Sequence, residues 1–352
     1  MLLRQFHSRF PTEEACIEYF KTVRMQQGVP CPECKAITDK WLSGRKVFQC
    51  TKCGCLIPLT KGTVMEHSKL SLSSWFYTMH LMTSVKQVLS AKEVQHQLGA
   101  SQYPPIWLTM MKLRNIMGKR EDIYQLSGEV ELDEAFFPIR VPEESQGETI
   151  RKGAGSQRQA KVLVIVESKS ADEILLDYLA KQKKENGDKA GKIAANMKGK
   201  SVKKAVHYIK MLVLDNLNAS TIDKIVRAHV DKDTVVVTDN SSSHVNFSEY
   251  FSKHEAYTEK GNVDDVVRSA LPWVHIVIGR CRDGIAAIHG DVDAQFWQLY
   301  LNEFCWKFNR RFFRDSSDPK YDLFDRLVKI AALYTSDIKW RNYEQIDDDE
   351  VI

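Results

Sequence analysis

No stretch of this 352-residue chain approaches the ~18 consecutive apolar residues that a membrane-spanning helix requires. A helical membrane protein is thereby excluded. Residues Met1 to Phe10 lack the apolar core of a secretory leader, so no signal peptide is expected. Net charge is almost missing too: 50 Lys+Arg against 46 Asp+Glu leave +4. Total charge therefore says little about partners, and only its distribution can speak. Cysteine is sparse. Of eight, four stand in one pattern, Cys55 lies beside it, and Cys16, Cys281 and Cys305 are isolated. That usage fits a reducing compartment, and a cytoplasmic location is expected. The rest, 43% apolar and 10% aromatic, is ordinary for a globular protein, and the length predicts two to three domains.

What the chain does have is Cys31-Pro-Glu-Cys34, fifteen residues, then Cys50-Thr-Lys-Cys53. Each C-x2-C pair places two thiolates on one side of a tight turn. Two such turns together make the tetrahedral sulfur cage that Zn²⁺ prefers. Four protein ligands leave no open position, so this zinc would build structure and do no chemistry. The segment 31–59 is too short to bury a core of its own, and metal binding would supply much of its folding energy. It reads as a zinc ribbon.

Along the chain, Pro11 and Thr12 open a helix over 11–27, and a second apolar-sided helix is predicted over 71–88. Ser90-Ala-Lys-Glu93 is a capping box, Gly99 ends that helix, and another runs from about Pro105 to Met117. Helix, Gly turn, helix is the outline of a helix-turn-helix, though any pair of antiparallel helices gives it. Lys112, Arg114, Lys119 and Arg120 near the second helix are the candidate DNA contacts. After Gly128 the period changes to that of strands: 130–137, 161–166, 209–214 and 234–237, with a helix over 221–230 before the fourth strand and helices near 273–289 and 294–308 after it. Residues 169–205 read as a hairpin, an insertion or a loop. Between Arg151 and Lys210 fifteen Lys/Arg face six Asp/Glu, which is either a solvated surface or a phosphate-contacting one.

This order of elements predicts an α/β, ribonuclease-H-like catalytic domain: a mixed sheet with flanking helices, preceded by the ribbon and a small helix-turn-helix domain. The expected division is 1–62, 63–125, 126–315 and a C-terminal helix with an acidic tail over 316–352. In such a sheet the first and fourth strands are neighbours, so Asp133 and Asp239 would face each other across a gap suited to Mg²⁺ or Mn²⁺. The plainer reading is that Asp239 caps a turn and Asp133 is a surface acid. The block Asn302 to Arg311 reads either as a core helix with a charged edge or as one whose Arg310 and Arg311 touch DNA backbone.

The ribbon, the run Glu131-Leu-Asp133-Glu-Ala-Phe-Phe, Thr238-Asp239-Asn-Ser-Ser-Ser, Leu271-Pro-Trp-Val-His275-Ile and Tyr300-Leu-Asn-Glu303 through Asn309-Arg310-Arg311 together resemble insertion-sequence transposases of the family numbered fifteen-ninety-five. The resemblance covers about Phe6 to Phe313. It implies a DDE-type DNA transposase that binds terminal inverted repeats of double-stranded DNA, cuts there and joins 3′ ends to a target, acting as a homo-oligomer on the DNA. It carries the family's two metal aspartates to Asp133 and Asp239. The family's third position, Asn or Glu followed two residues later by Lys, aligns with Arg280 and Arg282. Arginine has only donors and cannot ligate a metal. Asp283 is a possible substitute, and Arg282 keeps the positive charge with a fork able to hold a phosphate. The competing reading is a catalytically impaired relative that only binds DNA.

Overall fold

The computed structural model describes residues 1–140, 156, 158–170, 204–239, 241–257, 271–289, 292–311 and 322–339. Most of the 169–205 segment, most of the basic stretch and the acidic tail lie outside them. The chain forms two compact units, Met1–Glu121 with Asn302–Ile352, and Asp122–Leu301.

The first unit opens with α1 (Leu3–Arg9) and α2 (Glu13–Gln27). Thr12 caps α2 by accepting from the Ala15 N–H, and Gly28, at φ 77°, turns the chain out of it. Two small sheets follow. β1 (Val29–Pro30) pairs with β2 (Ile37–Thr38), and β3 (Trp41–Leu42), β4 (Val47–Gln49) and β5 (Leu56–Pro58) form an antiparallel meander. Then come α3 (Leu72–Ser84), α4 (Ala91–Leu98) and α5 (Tyr103–Glu121). Ser90 caps α4, and left-handed Gly99 ends it. α5 differs from a surface recognition helix. It buries Ile106, Trp107, Met110, Leu113, Met117 and other residues around its circumference, and so forms the hub of this unit.

The second unit is built on β6 (Glu129–Pro138), β7 (Gln159–Lys169), β8 (Ala205–Leu214), α6 (Ala219–His229), β9 (Val235–Asp239), a 3-10 turn over Ser242–His244, α7 (Phe247–Tyr250), β10 (Lys253–Tyr257) and α8 (Pro272–His289). The five strands lie in the order β10-β9-β6-β7-β8. β6 pairs antiparallel with β7, and β7 with β8, while β9 and β10 run parallel to β6. Because side chains alternate across a strand, β6 serves both faces. Val130 and Leu132 pack with Ile222, Val226 and Phe247 beneath α6 and α7. Glu131 and Asp133 belong to the other face, where α8 lies. The last parallel pair is Leu132 with Thr238, so Asp133 and Asp239 stand one register step beyond it. The mixed sheet with flanking helices agrees with the sequence expectation. β10 was not foreseen.

The boundary between the units falls within α9 (Trp297–Asn309). α10 (Leu323–Leu333) then returns to the first unit and packs on α2, α3 and α5. The C-terminal helix, expected as an end piece, is instead part of that core. Arg9 and the Tyr19 hydroxyl both donate to Asp325 there, at 2.9 and 2.8 Å.

Candidate functional site

Asp133 is held in a half-enclosed position, and its Oδ1 accepts from the Glu134 N–H at 2.8 Å. Burial, and then the charge of Asp239, push its carboxyl up to about 7. Asp239 goes the other way. Contact with His244 holds it below its ordinary range. The asymmetry has a geometric cause. His244 Nδ1 lies 3.1 Å from Asp239 Oδ1, whereas the imidazole nearest Asp133, Nε2 of His275, is 4.0 Å from its Oδ2. The 3-10 turn directly after β9 delivers His244. Ser241 starts that turn, with its N–H donating to Asp239 and its hydroxyl accepting from the Ser243 N–H.

His244 is 1% exposed and joins the two strands. Its Nε2 lies 3.2 Å from Glu134 Oε1, and Ser243 Oγ donates to that same oxygen at 2.8 Å. Burial lowers its pKa, but the contacts with Asp239 and Glu134 outweigh that and raise it to about 9. One ligand atom each from Glu134, Asp239 and His244 lie within 4.8 Å of one another. Carboxylate oxygens with an imidazole nitrogen are a donor set that fits a divalent cation. Sequence reasoning missed both Glu134 and His244. The signal was present: Glu134 follows Asp133, and His244 falls five residues after Asp239 in a serine turn.

α8 is fixed by Glu131, which is buried and accepts from the Trp273 and Val274 N–H groups at 2.8 and 2.9 Å. Burial pushes its carboxyl up to about 7. Glu131 and Asp133 share one face of β6, so the residue that anchors the helix start also sets His275 beside Asp133. Arg280, the aligned third position, is exposed. At 3.6 residues per turn it points about 140° round from His275. Asp283, exposed as well, is about 80° round by the same geometry. Arg282 lies within about 20° of His275, two turns along. Its guanidinium reaches the Phe136 carbonyl at 3.4 Å. Of Arg280 and Arg282, the helix turns only Arg282 toward the strand that carries Asp133.

In the ribbon the two C-x2-C turns repeat one hydrogen-bond pattern. Lys35 N donates to Cys31 O at 3.0 Å, and Gly54 N to Cys50 O at 2.9 Å, each with positive φ. The Sγ atoms of Cys31 and Cys53, and of Cys34 and Cys50, are 3.5 Å apart, and all four lie within 4.8 Å of one another. A tetrahedron with Zn–S of about 2.3 Å has edges of about 3.8 Å. Backbone N–H groups, that of Cys34 first, pull the Cys31 thiol below its ordinary value, and that of Cys53 does the same for Cys50. Cys55 stands outside the foursome, its Sγ turned to the Leu56 carbonyl.

The proposed DNA contacts divide. Arg114 is 1% exposed, with Nε bonded to Glu303 at 2.8 Å, and Arg310 is 6% exposed and paired with Glu121. A guanidinium enclosed and neutralised in the core cannot meet a phosphate, so both leave the set. Lys119 is tied to Asp337 and the Thr335 carbonyl. Lys112, Arg120 and Arg311 are partly exposed, and Arg311 lies over the Phe308 ring. Burial lowers the pKa of Lys112.

Residues 125–309 match the family model described as an ISXO2-like transposase domain, and residues 11–55 match a transposase zinc-ribbon domain. A protein of Halobacterium salinarum described as "Uncharacterized protein in transposable element ISH50" is 27% identical over 168 residues. That match covers 45% of this chain and 55% of the relative, so the chain spans about half the relative's length. Among solved structures, a chain of the pre-cleavage Mos1 transpososome is 11% identical, covering 71% of this chain and 76% of its own, with a TM-score of 0.21. A likeness that low bears on neither fold nor chemistry.

Proposed function

The chain belongs to the ISXO2-like transposase family, and on that premise we propose that it is a DDE-type DNA transposase of an insertion sequence. It binds the element's terminal inverted repeats, cuts there in a metal-dependent reaction and transfers the strands to target DNA. The observation that carries this reading is the carboxylate pair on two adjacent parallel strands, Asp133 in the middle of β6 and Asp239 at the end of β9, with Asp133 pushed to about 7 by burial and by its partner's charge. Two carboxylates so placed call for a cation. The strand order, with three antiparallel strands and two parallel to the first, supports a ribonuclease-H-like class.

Asp133 and Asp239 would hold Mg²⁺ or Mn²⁺. When bound, such an ion activates the attacking hydroxyl of water or a 3′ end and stabilises the leaving oxygen of the phosphodiester. The chain's own groups do the rest. Glu131 fixes the start of α8, and α8 presents Arg282 to hold a phosphate beside the pair. The four ribbon cysteines hold one structural Zn²⁺. Lys112, Arg120 and Arg311 are the remaining candidates for backbone contacts, and the protein acts as a homo-oligomer on DNA in the prokaryotic cytoplasm.

The test is cleavage and strand transfer on the element's own ends with Mg²⁺ or Mn²⁺. Asp133→Ala and Asp239→Ala should each abolish cleavage and leave end binding intact. Arg280 in the aligned third position favours a second reading, a DNA-binding relative without activity. Wild-type protein that binds the ends but cuts with neither metal would establish that one.

A further inference from the structure

Arg280 leaves the carboxylate pair without the third ligand that its aligned position would supply, and the chain has another group in place. We propose that His244 is that ligand: its Nδ1 coordinates the divalent cation beside Asp239, while Glu134 holds the ring in register through Nε2. The inference rests on the transposase reading above and names the donor set of that same site.

Three observations support it. The first is spacing. Adjacent donors around one cation at about 2.1 Å lie roughly 3 Å apart. Nδ1 of His244 is 3.1 Å from Asp239 Oδ1. The second is the state of the ring. It is 1% exposed and enclosed between two carboxylates, with Nδ1 3.1 Å from Asp239 Oδ1 and Nε2 3.2 Å from Glu134 Oε1, so both ring nitrogens face oxygen donors of a metal-type set. The third is the chain of support behind it. A metal-bound histidine usually turns its other nitrogen to a carboxylate that is itself held. Here Nε2 meets Glu134, and Glu134 is held by Ser243 Oγ at 2.8 Å. Ligation requires the neutral ring, so the cation replaces the proton otherwise lodged between Nδ1 and Asp239. An imidazole in the set favours a metal that accepts nitrogen, so Mn²⁺ should bind more tightly than Mg²⁺.

The experiment is pulsed electron paramagnetic resonance of Mn²⁺ added to the full-length chain with its ribbon zinc retained. A directly bound imidazole gives ¹⁴N coupling. That coupling should change to the ¹⁵N pattern when the histidines alone are ¹⁵N-labelled, a comparison that needs no variant. It should vanish in His244→Gln, whose amide can still bridge Asp239 and Glu134. Glu134→Gln should keep the coupling and weaken Mn²⁺ binding by about 10-fold or more. Arg280→Ala should change neither. Bound Mn²⁺ without nitrogen coupling, or coupling that survives His244→Gln, overturns the proposal and leaves the transposase reading standing. Mn²⁺ whose binding is unaffected by Asp239→Ala overturns both, because the cation is then not at the carboxylate pair.

Discussion

Asp133 owes its perturbed carboxyl to where β6 puts it, buried and within reach of the Asp239 charge. Its carboxyl, pushed to about 7 against an ordinary 3.8, makes a linkage statement with a definite sign. Between those values the folded protein binds a proton that the unfolded chain has released, so stability falls as pH rises through that window. His244 acts in the same direction at higher pH: raised to about 9, it stabilises below 6.5 and loses that contribution toward 9. Metal-free protein should therefore unfold at lower urea at pH 8 than at pH 5. The Asp133 share is at most roughly 4 kcal/mol, since a tenfold change in proton affinity is worth about 1.4 kcal/mol. Asp133→Asn should flatten the slope between pH 4 and 7, and Mn²⁺ should restore stability most at pH 8. Equal urea midpoints for wild type and Asp133→Asn at both pH values would mean that the carboxyl is not perturbed.

Two elements depend on a single group. α8 begins on Glu131, whose carboxylate takes two N–H groups that no helical carbonyl can reach. Glu131→Ala leaves both unpaired, and the buried Val274 N–H alone costs about 1–3 kcal/mol. A lower urea midpoint should accompany a loss of DNA cleavage with end binding kept, since Arg282 and His275 ride on that helix. The ribbon is expected to depend on a bound zinc in the same way. Metal analysis of reduced protein should give about one zinc per chain. Cys31→Ser should lose that zinc and the order of residues 29–58, while the Asp122–Leu301 unit keeps its own sheet and core. Freshly purified, reduced protein without zinc would remove the ribbon assignment.

On the scale of the molecule, the first unit is assembled from both ends of the chain. Residues 302–311 and 322–339 belong with the first 121, and two of the ion pairs between them, Arg114–Glu303 and Arg310–Glu121, lie inside. Arg114–Glu303 is almost fully enclosed, and Lys307 joins Glu303 from one turn further along α9. Removing one partner of such a pair strands a buried charge, typically a loss of about 3–5 kcal/mol. Arg114→Ala should therefore lower the melting temperature of this unit. It should not produce the drop in salt dependence that follows the loss of a phosphate contact. A variant that melts like wild type but binds DNA with a shallower salt slope would return Arg114 to the surface.

The four-cysteine spacing, the capped helices, the strand runs and the positions of Asp133 and Asp239 were legible in the sequence alone. Each is a local property: a turn that presents two thiolates, a period of 3.6 or 2, an acid within or at the end of a strand-forming run. The sequence also determined that Arg280 cannot ligate a metal, which is a matter of side-chain chemistry. Tertiary structure alone decided which faces meet. An apolar stripe does not name its partner, so α5 could be read as a DNA-facing helix until packing buried it, and Arg114 and Arg310 looked available until Glu303 and Glu121 enclosed them. The roles of His244, Glu134 and Glu131 waited on the tertiary structure for the same reason, although Glu134 and His244 stand close in sequence to the two aspartates. The contacts that decide their roles, His244 with Glu134 and Glu131 with the start of α8, join groups more than a hundred residues apart, and those distances are fixed by strand register and by where the helix starts.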